Sequence, residues 1–470
     1  MRPMPTPSPR QAALALVLIA LLQSLYNTTL PLSGDEAYYW VWAKTLQAGY
    51  HDHPPGIAVL IAITTGLLGD GVFAVRLVAV ACTAGAAWFI GAIAAEVYDR
   101  RTGMLALGLA VMLPAAAAGF TLATPDAPLL LFWAAGAYFA RRAVAGDGLW
   151  RDFLLAGLAI GCGMASKYTA VLLPAAIAVF VLVRRRDLLA SKRTWAAVLV
   201  AALAFAPVVW WNWRHGFESF AFQYRHGGGE ATAIRWGSAA DFIGGLGLLL
   251  SPVVFLLLCA RVALWREWWR DDRRTFLMAC FLLPAVFLLY KALFAKIQLN
   301  WGAPAIVTAV PLVADFIVAR NLRRTAIAAA AVALLVSALI KWPLAFGLSG
   351  KLNPHNRLHG PETAAIAVEE LRRPGDSIFA DHLQRASLLR FYLSGHPRVA
   401  IPTESRFSEY SRWDSDLDFR TMHGLYLGEG DKLAELRQVF GSAVLVREVV
   451  AEREGFRTER YNLYRVGTGG

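Results

Sequence analysis

Two adjacent carboxylates follow the first long apolar run of the 470-residue chain. Asp35 and Glu36 occur in the segment Ser-Gly-Asp-Glu-Ala, with Tyr38, Tyr39 and Trp40 directly behind them. Neighbouring carboxylates can divide the work of a reaction, because desolvation and like charge push a carboxylate pKa upward. One can then accept a proton while the other holds the substrate. The alternative is a solvated helix start in which Asp35 is the N-cap.

A second polar motif, His51-Asp52-His53-Pro54-Pro55, lies in the same loop. Two imidazoles around a carboxylate, placed before a rigid turn, could hold a metal ion. A turn with exposed histidines is the reading that we favour. We therefore predict neither a resident metal nor another cofactor, with a divalent metal as the lesser option.

Further polar candidates lie at the ends of apolar runs. Asp126, in Thr-Pro-Asp-Ala-Pro, could act on a substrate or cap the next helix, and both readings stay open. Arg76 could contact a phosphate or extend to lipid headgroups. Lys167 and Lys296 are cations at two more such ends, and Lys296 suits interface anchoring as well as substrate contact.

The composition shows which elements must position these residues. Hydrophobic residues make up 57% of the chain and charged residues 17%, with a mean hydropathy of +0.46. These values exclude a cytosolic enzyme, a disordered chain and a disulfide scaffold. The net charge of +12 would suggest nucleic acid in a soluble chain, but Lys and Arg gather in the cytoplasmic loops of membrane proteins. We expect no nucleic-acid partner, and a transporter, a channel or an intramembrane enzyme remains.

Apolar runs predict a polytopic α-helical membrane protein with about 11 transmembrane helices. The runs fall at residues 11–32, 73–95, 103–123, 128–140, 153–166, 169–183, 194–212, 239–260, 275–293, 302–319 and 325–346. Arginine-rich and arginine-poor loops alternate, so the positive-inside rule puts the N-terminus in the cytoplasm. The polar candidates then share the external face, whereas a transporter is expected to place ionisable groups near mid-bilayer.

The rest of the organisation follows from length and periodicity. The apolar segment 56–69 is too short to cross a membrane, so we predict an interfacial helix within a first external loop, 33–72. Residues 1–346 would form the membrane domain. In residues 347–470, helical patterns at 362–373, 382–392 and 431–439 alternate with strand-like runs at 377–380, 398–401 and 443–446. This alternation predicts a C-terminal periplasmic α/β domain.

The order of the motifs resembles the polyprenyl-phosphate-sugar glycosyltransferases of the GT-C superfold. Among them, the chain looks most like the bacterial branch related to protein O-mannosyltransferases and to the lipid A aminoarabinose transferase. The resemblance rests on the acidic pair, His-Pro-Pro, the Arg-Leu pair of the next span and Thr-Pro-Asp-Ala-Pro. It is strongest over residues 33–128, and residues 384–397 also look like a stretch of bacterial members.

The resemblance implies a multi-pass enzyme of the bacterial inner membrane with its active site in the periplasm. The enzyme would move a hexose or pentose, with inversion, from a polyprenyl (undecaprenyl) phosphate donor in the membrane lipid. The acceptor would be an envelope lipid, glycan or protein, such as lipid A or lipopolysaccharide. The expected catalytic residues are Asp35, Glu36 and Asp126, and the expected substrate-binding residues are Arg76, Lys167, Lys296, His53 and Tyr39. A flippase of lipid-linked sugars, or a glycan ligase or polymerase, is the alternative.

Overall fold

The computed structural model describes residues 8–145, 148–226, 233–403, 406–453 and 455–467, most of them in α-helices. In chain order the helices are α1 (Pro9–Asn27), α2 (Gly34–Lys44), α3 (Gly56–Leu68), α4 (Val72–Val97), α5 (Arg100–Met112), α6 (Pro114–Gly119), α7 (Asp126–Val144), α8 (Trp150–Met164), α9 (Leu172–Arg184), α10 (Lys192–Arg214), α11 (Glu218–His226), α12 (Trp236–Leu250), α13 (Pro252–Ala263), α14 (Trp265–Trp269), α15 (Asp272–Ala292), α16 (Ala303–Ala319), α17 (Arg323–Lys341), α18 (Pro361–Leu371), α19 (Leu383–Tyr392), α20 (Glu409–Trp413) and α21 (Leu433–Phe440). The strands are β1 (Ser377–Ala380), β2 (Val399–Ala400), β3 (Gly424–Gly428), β4 (Ala443–Arg453) and β5 (Phe456–Val466).

Several helices are long and apolar enough to cross a membrane. In the part of the chain that the structure describes, six pass on length and composition: α1, α4, α10, α15, α17 and the segment Leu299–Ala319, which contains α16. The bent pair α12 and α13 would add a seventh if it were one span. The protein is therefore a mostly helical, multi-pass membrane protein.

The predicted spans coincide with helices or with pairs of helices. The span predicted at 103–123 is divided between α5 and α6, because Pro114 begins a new helix. The span predicted at 239–260 is divided between α12 and α13, which meet at 110°. At this junction Ser251 has a φ of 65°, and Pro252 follows it. A single straight helix over 239–260 is therefore wrong, and the total of about 11 crossings stays a prediction.

The chain forms two compact units. The first unit consists of Ala48–Ile57, Arg76–Lys341 and the described residues before Tyr26. Helix α16 lies at its centre and is buried along nearly its whole length. Helices α5, α7, α13 and α15 pack around it. The polar ends of these helices are thereby held by an apolar core.

Small residues bring α8 close to α10 in the first unit. Gly157 and Gly161 lie one turn apart on α8, facing the carbonyl oxygens of Ala197 and Ala201 on α10. A Cβ on Gly161 would lie only 2.6 Å from the Ala201 oxygen. Such spacing of small residues lets membrane helices pack backbone against backbone. It fixes the C-terminal end of α8, where Lys167 follows.

The second unit consists of Tyr26–Gln47, Ala58–Val75 and the described residues from Trp342 onward. Its sheet has the strand order β2-β1-β3-β5-β4. Strand β1 pairs in parallel with β2 and β3, and β5 pairs antiparallel with β3 and β4. The helices and strands predicted in 347–470 are confirmed as α18, α19, α21, β1, β2 and β4. Strands β3 and β5 were not predicted.

Helix α2, which carries Asp35 and Glu36, belongs to this second unit. It packs against α19, and the ring centroids of Trp40 and Phe391 are 5.1 Å apart. No local feature of the sequence indicates this association, because contacts such as Asp35 with Gln384 join residues 349 positions apart. Asp35 and the C-terminal residues are therefore parts of one compact unit.

Candidate active site

The start of α2 is built around a capping box. Ser33 Oγ accepts a hydrogen bond from the N–H of Glu36 at 3.3 Å, and the N–H of Ser33 donates to Glu36 Oε2 at 2.9 Å. Ser33 is thus the N-cap, and the alternative that Asp35 has this role is wrong. Asp35 lies in the first turn instead, where the helix dipole stabilises a negative charge.

The two carboxylates of the acidic pair have different surroundings. Glu36 is fully buried, whereas Asp35 is exposed. Asp35 Oδ1 accepts a hydrogen bond from Nε2 of Gln384 at 2.7 Å. Tyr39 is buried and packs edge-on against Trp42, with the ring centroids 5.0 Å apart. Asp35 is therefore the member of the pair that an incoming molecule can reach.

The His-Pro-Pro motif, residues 51–55, lies in the first unit. The N–H of Gly56 donates to the carbonyl oxygen of Ala165 at 2.9 Å. Gly56 also lies so close to Ser166 that a Cβ would be 2.6 Å from its Oγ. The end of the His-Pro-Pro motif is therefore fixed beside the corner that carries Lys167.

Helix α11 holds the same loop from the other side. Gln223 Nε2 donates to the carbonyl oxygen of Asp52 at 2.5 Å, and the rings of His51 and Phe222 lie 4.7 Å apart. His51 Nδ1 lies 3.6 Å from Glu218 Oε1. His53 is therefore part of a loop whose backbone is secured at both ends.

Three distant residues of the first unit form what we call the Asp126 cluster: Asp126, Lys167 and Asn300. Lys167 Nζ donates to Asp126 Oδ1 at 2.7 Å, and Asn300 Nδ2 donates to Asp126 Oδ2 at 2.5 Å. Asp126 is 9% exposed and Lys167 is 6% exposed. The side chain of Asp126 does not cap α7, so the capping alternative is wrong. Its two oxygens instead hold an ammonium and an amide.

The cluster can present hydrogen-bond donors to an anion. A lysine ammonium carries three protons, of which the bond to Asp126 uses one. Because Lys167 is buried, where the effective dielectric constant is low, the other two ammonium protons interact more strongly with an anion. Asn300 was not among the expected site residues, since a single asparagine in the sequence does not indicate its partner.

Two buried cations lie near each other in the first unit. Arg76 is 1% exposed and lies close enough to Lys341 for the two charges to repel. Lys341, at the end of α17, donates to Thr121 Oγ1 at 2.7 Å. The sequence analysis missed Lys341, because a cation at the end of an apolar helix is typical of contact with headgroups. Both cations are thus buried in the same region of the first unit.

The remaining expected site residue, Lys296, is exposed and forms no ion pair with any residue that the structure describes. It does not join the Asp126 cluster, although Asn300 follows four positions later. Between residues 8 and 467, leaving out the undescribed positions, no three His, Cys, Asp or Glu side chains are grouped so that they could hold a metal ion.

Comparison with known proteins gives matches at the level of family and of fold. Residues 52–211 match the model of the family described as dolichyl-phosphate-mannose-protein mannosyltransferase. The chain is 25% identical over 359 residues to the lipid A galacturonosyltransferase RgtD of Rhizobium johnstonii, covering 76% of this chain and 71% of the relative.

Solved structures show the same fold. ArnT from Cupriavidus metallidurans bound to undecaprenyl phosphate matches with a TM-score of 0.71 at 15% identity, over 97% of this chain and 98% of that one. The archaeal oligosaccharyltransferase AglB from Archaeoglobus fulgidus matches with a TM-score of 0.52 at 12% identity, over 88% and 69% of the two chains.

The helical fold and the membrane spans define the class of protein: the chain is a multi-pass membrane protein with the GT-C fold of these structures. The family match over residues 52–211 and the relative at 25% identity make the chain similar to the polyprenyl-phosphate-sugar glycosyltransferases, the group that its motifs had indicated.

Proposed function

We propose that the protein transfers a sugar from a polyprenyl monophosphate to lipid A or another acceptor of the bacterial envelope. The observation that carries this proposal is the position of the family match. Residues 52–211 include His53, Arg76, Asp126 and Lys167, which are half of the eight residues expected at the site. RgtD is a lipid A galacturonosyltransferase and ArnT binds undecaprenyl phosphate, which supports lipid A as acceptor class and undecaprenyl phosphate as carrier.

On the donor, the bond between the sugar C1 and the phosphate oxygen breaks, and the polyprenyl phosphate leaves with the electron pair. Negative charge develops on that oxygen, so cations fixed in advance lower the barrier. Lys167 is held by Asp126 for this role, and Arg76 is buried beside Lys341. We assign phosphate binding to Lys167 and Arg76, with Lys296 and His53 as further contacts.

On the acceptor, a sugar hydroxyl attacks C1 from the face opposite to the phosphate and inverts its configuration. The hydroxyl proton passes to the carboxylate of Asp35, the exposed member of the acidic pair. Glu36 and Tyr39 are buried, and we assign them to shaping the acceptor side of this step. If the acceptor were a phosphate, already an anion, Asp35 would orient it and take no proton.

The proposed arrangement in the membrane follows from the charged loops. The N-terminus lies in the cytoplasm, about 11 helices cross, residues 56–69 lie in the outer interface, and residues 347–470 form a periplasmic domain. A reporter fused after Gly350 should be active only outside the cytoplasm, and single cysteines at Gly49 and Asp70 should both react with an impermeant reagent. Cytoplasmic activity of the fusion would overturn this orientation.

The direct test is transfer by the full-length protein in lipid nanodiscs. The first donor is galacturonic acid on polyprenyl phosphate and the first acceptor is lipid A, with other sugars and envelope glycans following. Asp35→Asn keeps the shape of the side chain and removes the charge, so transfer should fall ~10²- to 10⁴-fold. Asp416→Asn, at an exposed position of the same unit, is the matched control.

Other results would redirect the assignment. Full transfer by Asp35→Asn would remove its role as base and favour an anionic acceptor. Movement of the lipid-linked sugar across vesicles, without transfer to any acceptor, would establish the flippase instead. Transfer of whole preassembled glycans would establish the ligase or polymerase.

A further inference from the structure

We propose that Gln384 is a positioning residue for Asp35, an inference that rests on the proposed function. It holds the carboxylate in the orientation in which the acceptor proton is taken up. Gln384 lies in the first turn of α19 and Asp35 in the first turn of α2, and both helices belong to the second unit.

The hydrogen bond between them engages one carboxylate oxygen. Gln384 Nε2 donates to Asp35 Oδ1 at 2.7 Å, and both side chains are exposed to solvent. Without such a hydrogen bond, the terminal torsion of an aspartate carboxylate takes a broad range of angles. One fixed oxygen therefore sets the plane of the group, and Oδ2 is left as the atom that receives the proton. Because the donor is a neutral amide, it orients the base and keeps its charge.

The backbone is shaped to permit this contact. A Cβ on Gly34 would lie 2.5 Å from Cβ and 2.9 Å from Cγ of Gln384, and 3.3 Å from its Cα. The residue next to Asp35 must therefore be glycine for Gln384 to approach at this distance. The close approach is independent of the hydrogen bond and selects the same partner.

Several further contacts hold α2 against the C-terminal residues of the unit. The hydroxyl of Tyr392 accepts a hydrogen bond from the N–H of Leu32 at 2.9 Å. The N–H of Glu409 donates to the hydroxyl of Tyr38 at 3.1 Å, and its Oε1 accepts from Gln47 Nε2 at 3.1 Å. Helix α2 is thus fixed at both ends, so loss of Gln384 alone should release the carboxylate and not the helix.

The variant Gln384→Met tests this role, because it keeps the length and packing of the side chain and removes the donor. We expect kcat to fall ~10- to 100-fold, since small misplacement of a catalytic group has effects of this size. The KM for the polyprenyl-phosphate sugar should stay within about two-fold, and the melting temperature should be that of the wild type. Gln438→Met, on an exposed face of α21, is the matched control and should leave both constants unchanged.

A double-mutant cycle separates this role from a structural one. In the Asp35→Asn background, Gln384→Met should cause no further loss, because Gln384 acts only through Asp35. A loss of equal size in both backgrounds, or full kcat in Gln384→Met, would overturn the inference. Gly34→Ala should lower kcat as Gln384→Met does and should not add to it. If Asp35→Asn itself transfers at the wild-type rate, the proposed base fails, and that result is visible before Gln384 is changed.

Discussion

Two buried carboxylates of the first unit have contrasting partners. Asp126 binds one lysine and one neutral amide. Asp315, on α16, accepts hydrogen bonds from Nε and Nη2 of Arg274 at 3.1 and 3.2 Å, and Arg261 Nη2 lies 3.8 Å from its Oδ2. We call these three residues the Asp315 cluster. Both carboxylates are less than a tenth exposed, so burial does not distinguish them.

The difference lies in how the partners hold the carboxylate. A guanidinium fork engages both carboxylate oxygens of Asp315 in a rigid bidentate pair, and the cluster joins α13, α15 and α16. A lysine that gives one proton to Asp126 retains donors for another anion. The Asp315 cluster is therefore suited to holding helices together, and the Asp126 cluster is suited to binding a substrate.

The largest expected effect is a loss of stability when Asp315 is substituted. Asp315→Asn removes the anion shared by the buried Arg261 and the half-buried Arg274. Arg261 keeps its contact to Glu267 at 3.4 Å, and Arg274 keeps its contact to Asp271 at 3.7 Å. The free energy of unfolding should fall by up to ~3 to 5 kcal/mol, the size expected when one partner of a buried ion pair is removed. Transfer by the folded fraction should stay near the wild-type level. Thermal unfolding in nanodiscs measures the first quantity, and Asp241→Asn at an exposed position is the control. A selective loss of transfer at full stability would erase the distinction between the clusters.

Lys167→Met should lower kcat/KM by ~10²- to 10³-fold, because it removes a cation from the leaving phosphate. Some stability is also lost, since Asp126 then remains buried without a cation. Adding Asp126→Asn should restore stability by making the cluster neutral, and it should not restore transfer. Lys192→Met, at an exposed position, is the control. Recovery of transfer in the double variant would show that Lys167 has only a structural role.

Arg76→Lys should raise the KM for the lipid-linked donor about 10-fold, or ~1.4 kcal/mol, with Arg76→Ala more severe. An ammonium cannot reproduce two parallel hydrogen bonds to a phosphate. The exposed Arg324→Lys should behave as the wild type. Unchanged donor affinity in Arg76→Ala would remove this residue from the donor site.

The smallest effect concerns Asp70 in the second unit, whose partners are again a lysine and a neutral donor. Lys44 Nζ lies at 2.5 Å and Trp40 Nε1 at 2.7 Å from its Oδ1. Burial raises the pKa of Asp70, but the hydrogen bonds from Lys44 and Trp40 outweigh it, and the pKa lies below its ordinary value. Because the pKa of Asp70 is lower in the folded than in the unfolded state, its charge stabilises the fold at any pH above the unfolded-state pKa. This contribution is lost as the pH falls from the unfolded-state pKa through the folded-state pKa.

We therefore expect Asp70→Asn to lower the stability at pH 6 by less than ~1 kcal/mol, because the pair is partly exposed. The difference between wild type and variant should shrink as the pH falls from 5 to 3, measured by thermal unfolding. A constant difference over that range would mean that the charge of Asp70 contributes nothing.

The sequence predicted well those features that need no distant partner. Membrane helices could be located because a long apolar run satisfies its own backbone within the segment. The capping box of α2 was missed, because Asp35 was considered as the N-cap, although Ser33 and Glu36 have the spacing that the box requires. The bend at Ser251 was missed, although Pro252 marks the place.

The site could be predicted only in part, for a physical reason. Asp35, Asp126 and Lys167 were identified as candidates, each from its own surroundings in the sequence. Their partners Gln384 and Asn300 lie far along the chain, and a single amide residue carries no pattern that points to a carboxylate. Which candidates meet is decided by the packing of helices, and that information is not local.

The distance in sequence between Asp35 and Gln384 also sets the order of events during synthesis. The two residues are 349 positions apart, so the helix of the proposed base is made long before the helix that orients it. At ribosomal rates of about 5 to 20 residues per second, that delay is roughly 20 to 70 s. During this time α2 lacks α19, Tyr392 and Glu409. A nascent chain would therefore acquire its oriented base among its last steps of folding, and a chain released early would carry Asp35 without the amide that holds it.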